Sequence, residues 1–231
     1  MPSLPLPLFS LLTTILLTLP TPSLAVSWYY LRYYPSSSSQ SFTALSGQMV
    51  VPALPRAGTY YLWPGLQPTD NSGVYQNVLD GKSGTWWLGS GWCCGNPDLA
   101  WGSGFNCYAD ETVSFSNTWD TPGDASAGWT TSTTHDSTGT TKTDAFALGS
   151  KSFNQALFAI ELYDEEWDFG ALEFRDVVIK STGTDTAWCT SDPENYNEAT
   201  AYSISGASAT VDESGEGVTC TIERIVLESP A

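Results

Sequence analysis

The stretch QALFAIELYD, residues 155–164, carries the period of a β-strand. Successive strand side chains point to opposite sides, so Phe158, Ile160 and Leu162 share one face. Gln155, Leu157, Ala159, Glu161 and Tyr163 share the other. The first face is wholly apolar and reads as core. The second sets a carboxylate, Glu161, between small and aromatic neighbours, as the wall of a groove would need. An earlier stretch, GVYQNVLDG at residues 73–81, alternates in the same way. There Tyr75, Asn77 and Leu79 share one face, and Val74, Gln76 and Val78 the other. Outward from these two, similar runs recur between clusters of Gly, Pro, Asp, Ser and Thr: FTALSGQMVVP, GTYYLWPGL, GTWWLGSGW, ETVSFSNTW, ALEFRDVVIK and CTIERIVLE among them. No helical period of apolar residues is sustained after the N-terminal segment. Thr, Ser, Tyr and Trp are plentiful and Lys is scarce, which suits pleated, half-exposed strands. The fold class expected is all-β, with two antiparallel sheets packed as a sandwich or jelly roll.

The chain of 231 residues is long enough for one such domain. Residues 1–25 read as a signal peptide: LPLFSLLTTILLTLPTPSLA is uncharged and apolar and ends in the small-x-small pattern Ser23-Leu24-Ala25. Pro20 and Pro22 would end a helix there short of a bilayer's thickness, and no later segment reads as a membrane span. Residues 26–40, VSWYYLRYYPSSSSQ, read as a Ser-rich leader that adds little core. Residues 41–231 form the domain proper. Eight basic residues against 25 acidic ones give a formal charge of −17, so no basic patch can be assembled for nucleic acid. Most of that charge disappears near the pI of about 4.1, a balance suited to an acidic exterior or simply to a soluble secreted surface.

Five cysteines in an oxidising exterior imply two disulfides and one odd thiol. Cys189 with Cys220, and Cys107 with Cys93 or Cys94, each close a modest loop. His135, the lone histidine, lies in the polar stretch TTSTTHDSTGTTKT and reads as exposed. It leaves no Cys/His set at zinc spacing, and a Ser-His-Asp arrangement would have to use it. A monomer with no cofactor and no metal is expected.

Several motifs recur in a recognisable order: Val51-Pro52, Trp63-Pro64-Gly65, Val74-Tyr75-Gln76, then GTWWLGSGW, ADETVSFSN, ALFAIELYD and FGALEFRDVVI. Over residues 42–180 this order resembles the fungal glutamic peptidases, the eqolisins. The resemblance implies a concanavalin A-like sandwich with Gln76 and Glu161 side by side as a catalytic dyad. Glu161 would take a proton from the attacking water and later return it to the leaving amine. Gln76 would hold the water and donate its amide to the oxyanion, and Trp63 would shape the floor of the cleft, with a polypeptide as substrate. The sequence departs from the family pattern at Gln67, where an acidic residue is usual, and in the region of VSWYYLRYY. The chemistry is coherent without the likeness. Burial in an aromatic setting raises a carboxylate pKa, and an uncharged amide donates at any pH.

Other readings start from the ten tryptophans. Trp63, Trp86, Trp87 and Tyr163 are candidate substrate-binding residues, and aromatic platforms of this kind also stack on sugar rings. A carbohydrate-binding or carbohydrate-active protein, with a polysaccharide as partner, is therefore the alternative; a glycosidase would pair Glu161 with Glu173 or Asp164. The acidic turn YDEEWD, residues 163–168, offers Asp164, Glu165 and Asp168 to calcium but reads first as a solvated loop. A non-catalytic secreted relative of either class completes the set.

Overall fold

The computed structural model describes residues 25–230, so the expected signal peptide lies outside the described residues except for Ala25. The strands are β1 (Val26–Tyr33), β2 (Phe42–Val50), β3 (Thr59–Pro68), β4 (Val74–Asp80), β5 (Trp86–Cys93), β6 (Gly104–Cys107), β7 (Thr112–Trp119) and β8 (Trp129–His135). They continue with β9 (Thr140–Phe146), β10 (Phe153–Tyr163), β11 (Leu172–Thr182), β12 (Glu194–Asn195), β13 (Ala201–Ser205), β14 (Ser208–Val211) and β15 (Gly217–Glu228). One sheet runs β12-β1-β10-β3-β4-β5-β6, and the other β13-β15-β11-β2-β7-β8-β9 with β14 beside β15. All pairings are antiparallel, and the two sheets stack as a sandwich. Among the described residues no helix is long and apolar enough to cross a membrane.

The core follows the alternation. Ala156, Phe158, Ile160 and Leu162 of β10 enter the main cluster between the sheets, where Phe158 meets Phe174 of β11 edge-on at 4.9 Å. Each large apolar side chain buried in this way is worth about 1.5–3 kcal/mol. Leu157 and Ala159 are buried as well, but in a second cluster on the outer face, with Trp63 and Val78. That second cluster is why β10 is buried along most of its length.

Residues 26–33 are not a leader. They form β1, which pairs with β10 along its whole length, and Leu31 and Tyr33 are core residues. VSWYYLRY alternates like the other strands, with Tyr29, Leu31 and Tyr33 inward, so it has an apolar face to bury. The serine run that follows is a short connection closed by Gln40, whose amide donates to the Thr182 carbonyl at 3.0 Å.

Cys189 and Cys220 are bonded, tying a single helical turn (Ala187–Thr190) to β15. The second expected pairing is overturned: Cys93 and Cys94 bond to each other, and Cys107 is a buried free thiol. The register explains why. Cys107 pairs with Trp86 at the start of β5, whereas Cys93 ends that strand. The two are about 23 Å apart along the ladder, far beyond a disulfide's span. Burial pushes the Cys107 thiol up to about 12.

His135 is also placed differently from its expected exposure. It is 5% exposed, because Trp129, Thr131, Thr133 and His135 occupy the inward face of β8. Its Nε2 lies 2.9 Å from a Glu111 carboxylate oxygen. In the acidic turn, Arg56 donates to Glu165 at 2.6 Å and to Asp168 at 2.9 Å, so these carboxylates face a guanidinium. Asp164 accepts the backbone N–H of Ala25.

On the other sheet Glu173 accepts hydrogen bonds from Arg224 and Arg175, and the Arg224 contact above all holds its carboxyl at about 2. A depressed carboxyl contributes stability above its unfolded value of 4.5 and loses it as pH falls towards about 2. Glu173→Gln is therefore expected to lower stability near neutral pH by about 1 kcal/mol, the pairs being half exposed. The difference should vanish in strong acid, as urea titrations at the two extremes would show.

Candidate active site

A cavity of about 630 Å³ lies on the outer face of the first sheet, lined by Tyr61, Gln76, Val78, Asp80, Trp87 and Glu161 among others. The sheet register builds it in rows. Glu161 of β10 stands opposite Tyr61 of β3, which stands opposite Asp80 of β4 and then Trp87 of β5. The next row on this face is Ala159, Trp63, Val78 and Gly89, and the one after it Leu157, Gly65, Gln76 and Gly91. Gln76 and Glu161 thus share a face and a cavity, as alternation requires. They are not directly side by side. Their partners on β3, Gly65 and Tyr61, are four residues apart, or about 13 Å of strand. The pair sits on a diagonal, with Trp63 in the row between them.

Glu161 is 9% exposed. Its carboxylate accepts the Trp63 indole N–H at 3.4 Å and the Tyr163 hydroxyl. Burial raises its pKa above the ordinary 4.5, and the hydrogen bonds from Tyr163 and Trp63 oppose that rise only in part. Tyr61 meets Tyr163 edge-on at 5.8 Å, so aromatic rings wall the carboxylate. The Lys82 ammonium sits 4.8 Å from the centre of the Tyr61 ring.

Gln76 is 5% exposed and lines the cavity, and among the described residues its side-chain amide has no hydrogen-bond partner. Gly65 makes room beside it. A Cβ at position 65 would lie 3.2 Å from the Cβ of Gln76 and 2.9 Å from the Tyr75 carbonyl oxygen. With no side chain there, Gln76 stands against bare backbone on β3.

The far wall is aromatic. Trp87 lies over Gly89 and Gly104, and Trp101, 46% exposed, lies over Gly91; a Cβ at any of these glycines would strike an indole ring. Beyond Trp63 a second, apolar hollow of about 240 Å³ is lined by Trp28, Tyr30, Val74, Leu157 and Tyr196 among others.

Of the residues singled out in the sequence, Gln76, Glu161, Trp63, Trp87 and Tyr163 meet on this face. Trp63 and Tyr163 are the hydrogen-bond donors to Glu161. Trp86 does not belong: it is 1% exposed, in the core, and its indole donates to the Pro52 carbonyl at 2.9 Å. Two adjacent strand residues cannot both face the cavity, and Leu88 fixes Trp86 on the core side. Neither proposed second carboxylate for a glycosidase stands opposite Glu161. Glu173 is in the other sheet with its arginines, and Asp164 turns to Ala25. Asp80 and Tyr61 were missed, although the alternation that selects Gln76 also selects Asp80. Trp101 belongs to the tryptophan-rich middle of the chain, and its place in the cavity depends on the bare backbone of Gly91 in another strand.

A β-sandwich with a buried carboxylate and an unpartnered amide in one outer-face cavity is the class this geometry defines. No family model matches the sequence, and no curated protein matches it. Solved structures do. Scytalido-glutamic peptidase with a transition-state analogue inhibitor aligns with a TM-score of 0.53 at 17% identity, over 87% of this chain and 100% of that one. The same peptidase with a peptide-based transition-state analogue aligns at 0.52 and 16% identity, with the same coverage. The chain has the fold of the glutamic peptidases.

Proposed function

We propose that this protein is a secreted endopeptidase that works in acid, with Glu161 as general base and then general acid and Gln76 as oxyanion donor. One observation carries the reading: a buried carboxylate of raised pKa and an amide with no hydrogen-bond partner among the described residues open into the same cavity. A polypeptide crossing that cavity would present its carbonyl between them. Ionised Glu161 takes a proton from water as the water oxygen bonds to the carbonyl carbon. The oxyanion accepts the Gln76 amide N–H, a contact that strengthens only as negative charge develops. Protonated Glu161 then delivers its proton to the amide nitrogen as the C–N bond breaks, which restores the carboxylate. Secretion is supported by the apolar N-terminal segment and by the Cys189–Cys220 bond.

The test is digestion of acid-unfolded globin or casein across mildly acidic pH, where a base whose pKa lies above the ordinary 4.5 is partly ionised. Gln76→Leu is expected to lower kcat by about 10²–10³-fold with little change in KM, because the lost hydrogen bond belongs to the transition state. Absence of acid proteolysis by folded wild-type protein refutes the proposal.

A second reading has its own observation. Glu161 and Asp80 stand in one row two strands apart, about 10 Å between backbones, beside the Trp87 and Trp101 rings. Two carboxylates lining one cavity, with aromatic platforms beside them, suit a glycosidase. Hydrolysis of a polysaccharide by the wild type, lost in Asp80→Asn, would favour it over the peptidase.

A further inference from the structure

Gln76 is held by a strand whose backbone ladder is interrupted beside it. β4 pairs with β3 at Asp80–Tyr61 and Leu79–Leu62, then only again at Gln76–Gly65 and Tyr75–Leu66. The gap falls at Trp63 and Pro64. Pro64 has no N–H to donate, and in this register it faces Asn77, the residue after Gln76.

Asn77 points the opposite way, into the core, and is completely buried. Its Nδ2 donates to Ser90 Oγ at 2.8 Å and to Thr131 Oγ1 at 2.9 Å, and its Oδ1 accepts from Asn117 Nδ2 at 2.7 Å. Thr131 Oγ1 also donates to Ser90 Oγ at 3.2 Å. The four residues come from β4 and β5 of one sheet and β7 and β8 of the other, and none is more than 1% exposed. Polar groups this deep in an aromatic core stabilise less than apolar packing of the same volume would. What a nearly complete network does provide is a single register, since each hydrogen bond is lost if a strand slips or rotates.

We infer that Asn77 is the positioning residue for Gln76, and that its cross-sheet network replaces the ladder contact Pro64 cannot make. The inference rests on the peptidase reading for its kinetic consequence but not for its structural one. With both faces of residues 76 and 77 constrained, the Gln76 amide keeps its aim into the cavity without any hydrogen bond of its own.

The experiment uses the full chain and the double variant Asn77→Leu/Asn117→Leu, which removes both amides and leaves Ser90 and Thr131 bonded to each other. Expected are a kcat about 10²-fold lower, as for a small misplacement of a catalytic group, with KM and the pH dependence set by Glu161 unchanged. Pro64→Val in the same background restores a donor to β3 and should recover part of kcat. The milder Thr131→Val, which removes one hydrogen bond, should give a smaller loss if the double variant does not fold. Full kcat in a folded double variant, or in Thr131→Val when only that variant folds, overturns the inference. If the wild type proves inactive, the peptidase reading falls, and the side-chain amide resonances of Gln76, assigned by their loss in Gln76→Leu, decide instead. Sharp wild-type signals that broaden in the variants support the positioning role, and unchanged signals overturn it.

Discussion

Glu161→Gln is expected to reduce acid proteolysis by at least about 10³-fold while the protein stays folded. The replacement keeps the shape of the side chain and one oxygen to accept from Trp63 or Tyr163, but it cannot take a proton from water. The same variant should differ in stability with a sign opposite to that of Glu173→Gln. Burial raises the Glu161 pKa above 4.5, so the folded protein holds its proton more tightly than the unfolded chain. Well below 4.5 the carboxyl is neutral in both states and costs nothing. As pH rises, the unfolded chain ionises first, and wild-type stability falls until the folded pKa is passed. Relative to wild type, Glu161→Gln should therefore gain stability on going from acid to neutral pH. Paired urea titrations with an acid protease assay check both halves. A variant that keeps its activity removes Glu161 from the mechanism.

Phe158→Ala should be the most damaging single truncation on the same strand, costing about 3–5 kcal/mol. Phe158 is fully buried and meets Phe174 of the opposite sheet at 4.9 Å and Tyr33 of β1 at 6.3 Å, so two neighbouring strands lose a common partner. In a domain of this size that loss corresponds to a fall of about 10 °C in the thermal midpoint. Calorimetry on the purified variant would read it directly. A loss below 1 kcal/mol, against a typical range of about 3–5, would mean the neighbouring rings collapse into the space.

The contrast between Phe158 and Glu161, three positions apart on opposite faces of β10, is the part of the protein most legible in its sequence. Alternation alone separates them, and the same rule puts Gln76 on the cavity side of β4 and Asn77 on the core side. It would also have separated Trp86 from Trp87 had Leu88 been used as the core marker. The leader expectation fails for a related reason: VSWYYLRY keeps its own strand period up to the serine run that follows it, and that period places it in the sheet. His135 was misread because polar composition stood in for position. Thr131, Thr133 and His135 alternate inward on β8, and a Thr-rich strand need not be exposed on both faces.

What the sequence determined by itself was the strand period, hence the all-β class and which side of its strand each candidate occupies, because that period is a local property of the backbone. Register belongs to the tertiary structure. Only the pairing of β3 with β4 and β10 shows that Gln76 and Glu161 lie on a diagonal across Trp63. Only the ladder between β5 and β6 separates Cys93 from Cys107, and only the packing of the two sheets joins Asn77 to Asn117. Each of these depends on contacts between residues far apart in the chain, where the free energy of many packed side chains selects one alignment among several that local pattern allows equally.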